Sequence, residues 1–151
     1  MLLLHRTFPP MTLRHATPDD ADRISELLGQ LGYPARAAAV RRRLERLAAS
    51  NADETWLAER DGEIVGLVGL HVSESLEHDG PVGKISEIVV EERLRGKGIG
   101  ATLMEAAERE ARRRGCVLLF LTTAERRGEA HRFYRRLGFE ETGRRFAKAL
   151  D

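Results

Sequence analysis

Apolar positions along the chain change period several times, and the changes mark out the elements. Residues 12–16 read as a short first strand. At Thr17-Pro18-Asp19-Asp20 the pattern turns helical. Thr17 can cap free N–H groups, Pro18 suits the first helical position, and the two acids complement the positive end of the helix dipole. Ala21, Ile24, Leu28 and Leu31 share one face of this helix, and Gly32 ends it. A second helix is expected over 35–49, burying Val40, Leu44, Leu47 and Ala48. Strands over 55–60 and 63–71 meet at Asp61-Gly62, a strong hairpin signal. A polar loop containing Gly80-Pro81 spans 73–82 and leads into a strand over 84–90. Residues 99–114 form an amphipathic helix with Ile99, Leu103, Ala106, Ala107 and Ala111 inward and Gly115 at its end. A buried strand over 116–122, a helix over 129–137 and two short strands after Gly138 complete the pattern. The order β-α-α-β-β-β-α-β-α-β-β predicts an α/β (α+β) fold with a mixed sheet and helices on both faces.

Composition narrows this picture without changing it. A chain of 151 residues suits one domain. Met11 is a more typical beginning than Met1, so residues 1–10 are read as a loose N-terminal extension and 11–151 as the domain. The net charge is +1, from 25 basic and 24 acidic residues, a balance that argues against a protein built to coat nucleic acid. Cys116 is the single cysteine, which excludes an intrachain disulfide and points to a reducing, cytoplasmic setting. No apolar run approaches the about 20 residues of a membrane helix, and Leu2 to Leu4 is too short for a signal-peptide core.

The sharpest local feature is Arg95-Gly96-Lys97-Gly98-Ile99-Gly100, between a strand and the amphipathic helix. Three glycines allow close approach of the backbone to a ligand, and the helix adds its positive N-terminus. Together with Arg95 and Lys97 they make a seat for phosphates. A triphosphate loop is excluded, because no Gly-Lys precedes Ser or Thr. A dinucleotide fingerprint matches as Gly96, Gly98 and Ala101. It stands late in the chain, however, and Glu125 lies past the strand end where a ribose-binding acid is needed. A plain glycine-rich turn remains the bland alternative.

The run Ile88-Val89-Val90 … Arg95-Gly96-Lys97-Gly98-Ile99-Gly100 resembles the acetyl-coenzyme A signature of the GNAT N-acetyltransferase superfamily. The run Ala130-His131-Arg132-Phe133-Tyr134-Arg135-Arg136-Leu137-Gly138-Phe139 resembles its second hallmark, a helix carrying a tyrosine before a Gly-Phe strand. The resemblance covers residues 12–150 and implies a mostly antiparallel mixed sheet, acetyl-CoA as cosubstrate and an amine as acceptor. It places the pantetheine arm beside Ile88, Val89 and Val90, and the pyrophosphate on N–H groups from Arg95 to Gly100. A backbone N–H near Ile88 would then hold the oxyanion. Arg127 stands where many members have Asn, at a coenzyme contact.

The resemblance assigns Tyr134 as the acid that protonates the leaving sulfur; without it, a helical Tyr reads as core. Glu87, an acid in an apolar strand beside the reacting centre, is the candidate base. An outward Glu paired with an Arg is the competing reading. Strand alternation groups Glu87 with Ile85 and Val89 unless a bulge intervenes. Cys116 reads as structural and His131 as a surface or packing residue. His71 and His78, with Glu74 and Glu77, read either as metal ligands or as solvated loop residues, and no metal is assigned.

Within the superfamily the likeness extends to aminoalkylphosphonate N-acetyltransferases. It is carried by Val65-Gly66, Gly69-Leu70-His71, Leu76, His78, residues 87–90 and 130–134, and the end Arg145-Phe146-Ala147-Lys148-Ala149-Leu150. It implies a small primary amine bearing an anion, for which Arg145 and Lys148 are candidate partners. Acid in the loop, Glu74 and Glu77, favours instead a polyamine, and a protein or peptide amine is a further alternative. A homodimer is expected from the superfamily. Two non-enzymatic readings stand beside these: a coenzyme-binding regulator, and a nucleic-acid-binding module using Arg41, Arg42, Arg43 and Arg46. On the helix over 99–114, the spacings Glu105/Arg109, Glu108/Arg112 and Glu110/Arg114 explain the charge as a solvated face.

Overall fold

A computed structural model describes residues 10–123 and 128–150. Five strands, β1 (Met11–His15), β2 (Asp53–Arg60), β3 (Glu63–Ser73), β4 (Val82–Val90) and β5 (Leu118–Phe120), form one sheet in chain order. Strands β1 to β4 pair antiparallel, and β5 joins β4 in parallel. Helices α1 (Ala21–Leu31) and α2 (Ala37–Ala48) lie between β1 and β2 in sequence, α3 (Ile99–Arg113) between β4 and β5, and α4 (Gly128–Arg136) after β5.

Two hydrophobic clusters sandwich the sheet. On one face, Ala21, Ile24, Leu27, Val40 and Leu44 of α1 and α2 pack on Leu57, Ile64, Leu67 and Val89. On the other, Ile99, Leu103, Met104, Ala107 and Ala111 of α3 pack on Ala58, Val65, Val68, Leu70 and Ile85. Helices on both faces are therefore as the pattern predicts. Leu27 and Met104 are fully buried although the periodicity did not single them out, while Leu47 is half-buried and Ala48 exposed. Gly32, at φ 99°, closes α1 in the left-handed conformation. Asp61 and Gly62, at φ 52° and 73°, make the expected tight hairpin turn. On α3 the solvated face holds ion pairs Glu108–Arg112 and Glu110–Arg114, each at 3.0 Å.

The C-terminal part departs from expectation. The strand predicted over 116–122 shrinks to Leu118–Phe120 and is not buried: Leu118 and Phe120 are exposed. The two strands predicted after Gly138 are not present among the described residues, and 140–150 is mostly exposed. The two departures are linked, because β5 pairs with β4 and no further strand among the described residues covers its outer edge. An edge strand with one neighbour and an open face cannot bury an apolar run.

One buried charge joins α1 to the end of β4. Glu91 is 6% exposed. Its carboxylate accepts from the Arg93 N–H (3.2 Å), the Gln30 side-chain amide (3.2 Å) and Arg23 Nη2 (3.2 Å). Arg23 also donates through Nε to the Ile64 carbonyl (2.9 Å), and Gln30 Oε1 accepts from the Glu92 N–H (3.0 Å). These donors, led by the Arg93 N–H, pull the Glu91 carboxyl down to about 2 from an ordinary 4.5. A carboxylate whose folded pKa is depressed stabilises the fold above its unfolded pKa and loses that effect as pH falls. Glu91→Gln is expected to lower stability at neutral pH and to flatten the decline in stability between about pH 4.5 and 2, measured by denaturant titration across pH. An unchanged pH slope would remove Glu91 as a contributor.

Candidate active site

The site is built around one incompletely paired strand. β4 pairs with β3 along its length, from Val82↔Ser73 to Val90↔Gly66. On its other side β5 meets Val82, Gly83 and Lys84, and no strand pairs with residues 85–90 among the described residues. The backbone phase says which groups this leaves open. The Glu91 N–H donates to the Val65 carbonyl (2.8 Å), so Glu91, Val89 and Glu87 direct their peptide groups to β3. Val90 and Ile88 direct theirs to the opposite, open edge. Arg95 Nε donates to the Val90 carbonyl at 3.2 Å from that side. Ile88 and Val90 pack with the α3-side cluster, and Val89 is buried in the other.

The glycine turn follows at the end of this edge. Gly96 and Gly98 have φ of 78° and 85°, left-handed values that side chains rarely adopt, and open space lies where their Cβ atoms would be. Gly98 is the N-cap of α3 and its carbonyl accepts from Thr102 N–H and Oγ1, both at 3.1 Å. The first helical turn leaves the N–H groups of Ile99, Gly100 and Ala101 without intrahelical acceptors. Arg95 and Lys97 are exposed beside them, and Ile99, 1% exposed, anchors the turn in the core. Gly100 is needed for packing: a Cβ there would lie 3.1 Å from Phe133 of α4 and 3.6 Å from Val90. This close approach brings α4 against the start of α3. Its Tyr134 packs against the α3-side cluster with ring centroids 5.4 Å from Phe133 and 6.1 Å from Phe139. Arg127 lies outside the described residues.

Glu87 changes face because of a bulge. Register runs Gly69↔Glu87 and then Leu70↔Ile85, so Ser86 is the extra residue. Ile85 faces α3, whereas Glu87 shares the face of Val89, the α1/α2 side. The simple alternation that grouped Glu87 with Ile85 is broken by this residue. A Cβ on Gly69 would collide with Oε1 of Glu87. The glycine is thus the seat on which the carboxylate lies flat against the sheet. Burial, reinforced by the charge of Asp53 and opposed by Lys84, pushes the Glu87 carboxyl above the usual range.

The histidines separate. His71 Nδ1 pairs with Asp53 Oδ1 at 2.8 Å, and His78 Nδ1 with Ser75 Oγ at 2.9 Å. No cluster of three metal-ligating side chains is present among the described residues. His131 is half-buried, and Arg145 and Lys148 are exposed in the C-terminal segment. Cys116 is half-buried, with burial raising its thiol pKa, which suits a structural residue. Sequence reading missed the Glu91 cluster and the Asp53–His71 pair, and left open whether a bulge would turn Glu87; the structure places one at Ser86. The signal available was Gly66 and Gly69 inside one strand, a mark of close approach.

An open strand edge running into a glycine turn at a helix N-terminus is what the resemblance anticipates, and comparison with known proteins decides the family. The acetyltransferase (GNAT) family matches residues 21–139. The chain belongs to the GNAT acetyltransferase family. It is an acetyl-CoA-dependent N-acetyltransferase of the GNAT type. An aminoalkylphosphonate N-acetyltransferase of Salmonella typhimurium is 38% identical over 99% of this chain and 100% of its own length. A crystal structure described as a transcriptional regulator from Bacillus halodurans C-125 superposes with a TM-score of 0.86, at 26% identity over 93% of this chain and 100% of that one. An aminoglycoside N-acetyltransferase in complex with CoA superposes with a TM-score of 0.83 at 22% identity, over 98% and 99% of the two chains, a likeness of fold. No helix among the described residues of this GNAT chain is long and apolar enough to cross a membrane. Gly98→Asp is expected to abolish acetyl-CoA binding by calorimetry, through left-handed strain and negative charge at the turn. Normal affinity in that variant would show that the phosphates sit elsewhere.

Proposed function

We propose that this enzyme acetylates a small primary amine by direct attack on the thioester of acetyl-CoA. The observation that carries the reading is the open edge of β4, continuous with the glycine turn. In this reading the pyrophosphate lies on the N–H groups from Arg95 to Gly100, with Lys97 beside it. The pantetheine amides pair with the outward peptide groups of Val90, as a further strand would. The Ile88 N–H points to the same edge and donates to the thioester oxygen as charge develops there.

The acceptor approaches from the α1/α2 side, where Glu87 lies on Gly69. Glu87 takes a proton from the ammonium, and a carboxyl raised by burial is a stronger base than one in water. The nitrogen lone pair then forms the C–N bond and the carbonyl electrons move to oxygen. On collapse the C–S bond breaks, the nitrogen gives up its second proton, and the thiolate receives a proton from Tyr134 of α4, which is restored from one of the two protons the nitrogen has lost. No protein nucleophile is needed, in keeping with the structural setting of Cys116.

For the acceptor, the 38% identity to an aminoalkylphosphonate N-acetyltransferase supports an amine that carries an anion. Lys84 lies on the Glu87 face of β4 and is better placed to meet that anion than the exposed Arg145 and Lys148. A polyamine is the second reading, favoured by the carboxylates of Asp53 and Glu87 on one face. Localisation in the cytoplasm and assembly as a homodimer complete the proposal.

The test is thiol release from acetyl-CoA over a panel of aminoalkylphosphonates, amino acids, polyamines and amino sugars. Release with a phosphonate supports the anionic acceptor, and release with a polyamine reassigns selectivity to the carboxylates. With the active amine, Tyr134→Phe is expected to lower kcat about a hundredfold while leaving the acetyl-CoA Kd nearly unchanged. Release with no amine at all would overturn the proposed reaction.

A further inference from the structure

An ammonium must lose two protons to become an amide nitrogen. One replaces the proton that Tyr134 gives to the coenzyme sulfur, and the other must reach solvent. Glu87 can hold one at a time, and it lies flat on Gly69 inside the sheet face. A second acceptor nearer the solvent would clear that proton, and one pair of side chains beside Glu87 has the chemistry for it.

His71 stands two residues beyond Gly69 on β3, on the same face as Glu87. Its register partners are Asp53 on β2 and Lys84 on β4, while Gly69 is flanked by Thr55 and Glu87. His71 and Glu87 are thus diagonal neighbours, with backbones about 7–8 Å apart, a gap that one water or the acceptor itself can bridge. Asp53 is held on both oxygens: Ser50 Oγ donates to Oδ2 (2.7 Å), and His71 Nδ1 meets Oδ1 (2.8 Å). Ser50 is itself fixed, its Oγ accepting from the Ala52 N–H at 3.2 Å. A carboxylate can only accept, so Nδ1 carries the proton and the lone pair is on Nε2. The Asp53 side chain is 18% exposed and that of His71 is 43% exposed. The imidazole is therefore oriented from the protein side and open on the other. The charged and titratable groups facing it are Asp53 from β2 and Lys84 and Glu87 from β4.

We propose that His71, oriented by Asp53, is a second proton acceptor of the acceptor site, carrying to solvent the proton that Glu87 cannot keep. His71 Nε2 takes a proton from the attacking nitrogen, or from protonated Glu87 across a water, and releases it to bulk. Nothing is oxidised or reduced, and no bond other than N–H and O–H changes at this step. Asp53 acts as a positioning residue: it sets the tautomer and stabilises the imidazolium. The inference rests on the proposed direct attack with Glu87 as first base.

The test compares wild type, His71→Gln and Asp53→Asn in steady-state thiol release with the active amine, with and without added imidazole. His71→Gln is expected to lower kcat by about tenfold to a hundredfold, leave the KM for acetyl-CoA unchanged, and recover part of the rate when imidazole is added. Asp53→Asn is expected to lose rate without rescue, because the ring still fills its place in the wrong tautomer. A His71→Gln enzyme with kcat within about twofold of wild type, or with a loss that imidazole does not touch, overturns the inference. If Glu87→Gln loses its rate while His71→Gln keeps it, the inference falls and the proposed function stands. If wild type releases no thiol with any amine, the proposed function itself falls.

Discussion

Everything at the site depends on a pairing that stops short. β5 binds three residues of β4, and among the described residues no strand pairs with 85–90 on that side, where Arg95 Nε reaches the Val90 carbonyl and the remaining outward peptide groups face open space. Inside a protein such groups must find partners, and an edge of this kind is a template for a chain that supplies amides. The pantetheine arm of acetyl-CoA has two amides on an extended backbone. In the proposed reading that arm pairs with the edge as a strand would, and the glycine turn meets the ligand where it becomes charged.

The two faces of the sheet divide the remaining work. On the α3 side, close packing fixes the turn: Ile99 and Leu103 are buried, and Gly100 admits Phe133 and with it Tyr134. On the α1/α2 side, glycine creates space instead. Gly69 gives Glu87 its seat, and the polar row Asp53, His71 and Lys84 lies beside it. The buried Glu91 cluster spans the junction, tying α1 to the residue that enters the turn. The open edge with its glycine turn and the Glu87 row are therefore held by one framework.

Much of this was legible in the chain. Period changes located eight of the elements to within a few residues, because their apolar faces are long enough to show a repeat. The turn was legible because left-handed glycines and a helix start leave a local signature. What escaped was set by contacts across strands. A bulge near Glu87 is open from the sequence, but nothing nearby in the chain places it at Ser86, where β3 takes up one residue fewer and Glu87 turns to the other face. Asp53 and His71 are eighteen residues apart and meet only through register. The C-terminal strands failed for a related reason: whether residues after Gly138 pair with an edge is set across the fold and not by local pattern, and 140–150 stays exposed without strand pairing among the described residues.

The most direct test is an NMR titration of the 15N-labelled protein with CoA, following backbone amides. The account predicts saturable shifts at Ile88 and Val90 on the open edge and at Gly96, Gly98 and Gly100 in the turn, with small changes at the amides of Val89 and Glu91, which bond to β3. Shifts confined to other surfaces, with the β4 edge and the turn unmoved, would contradict it.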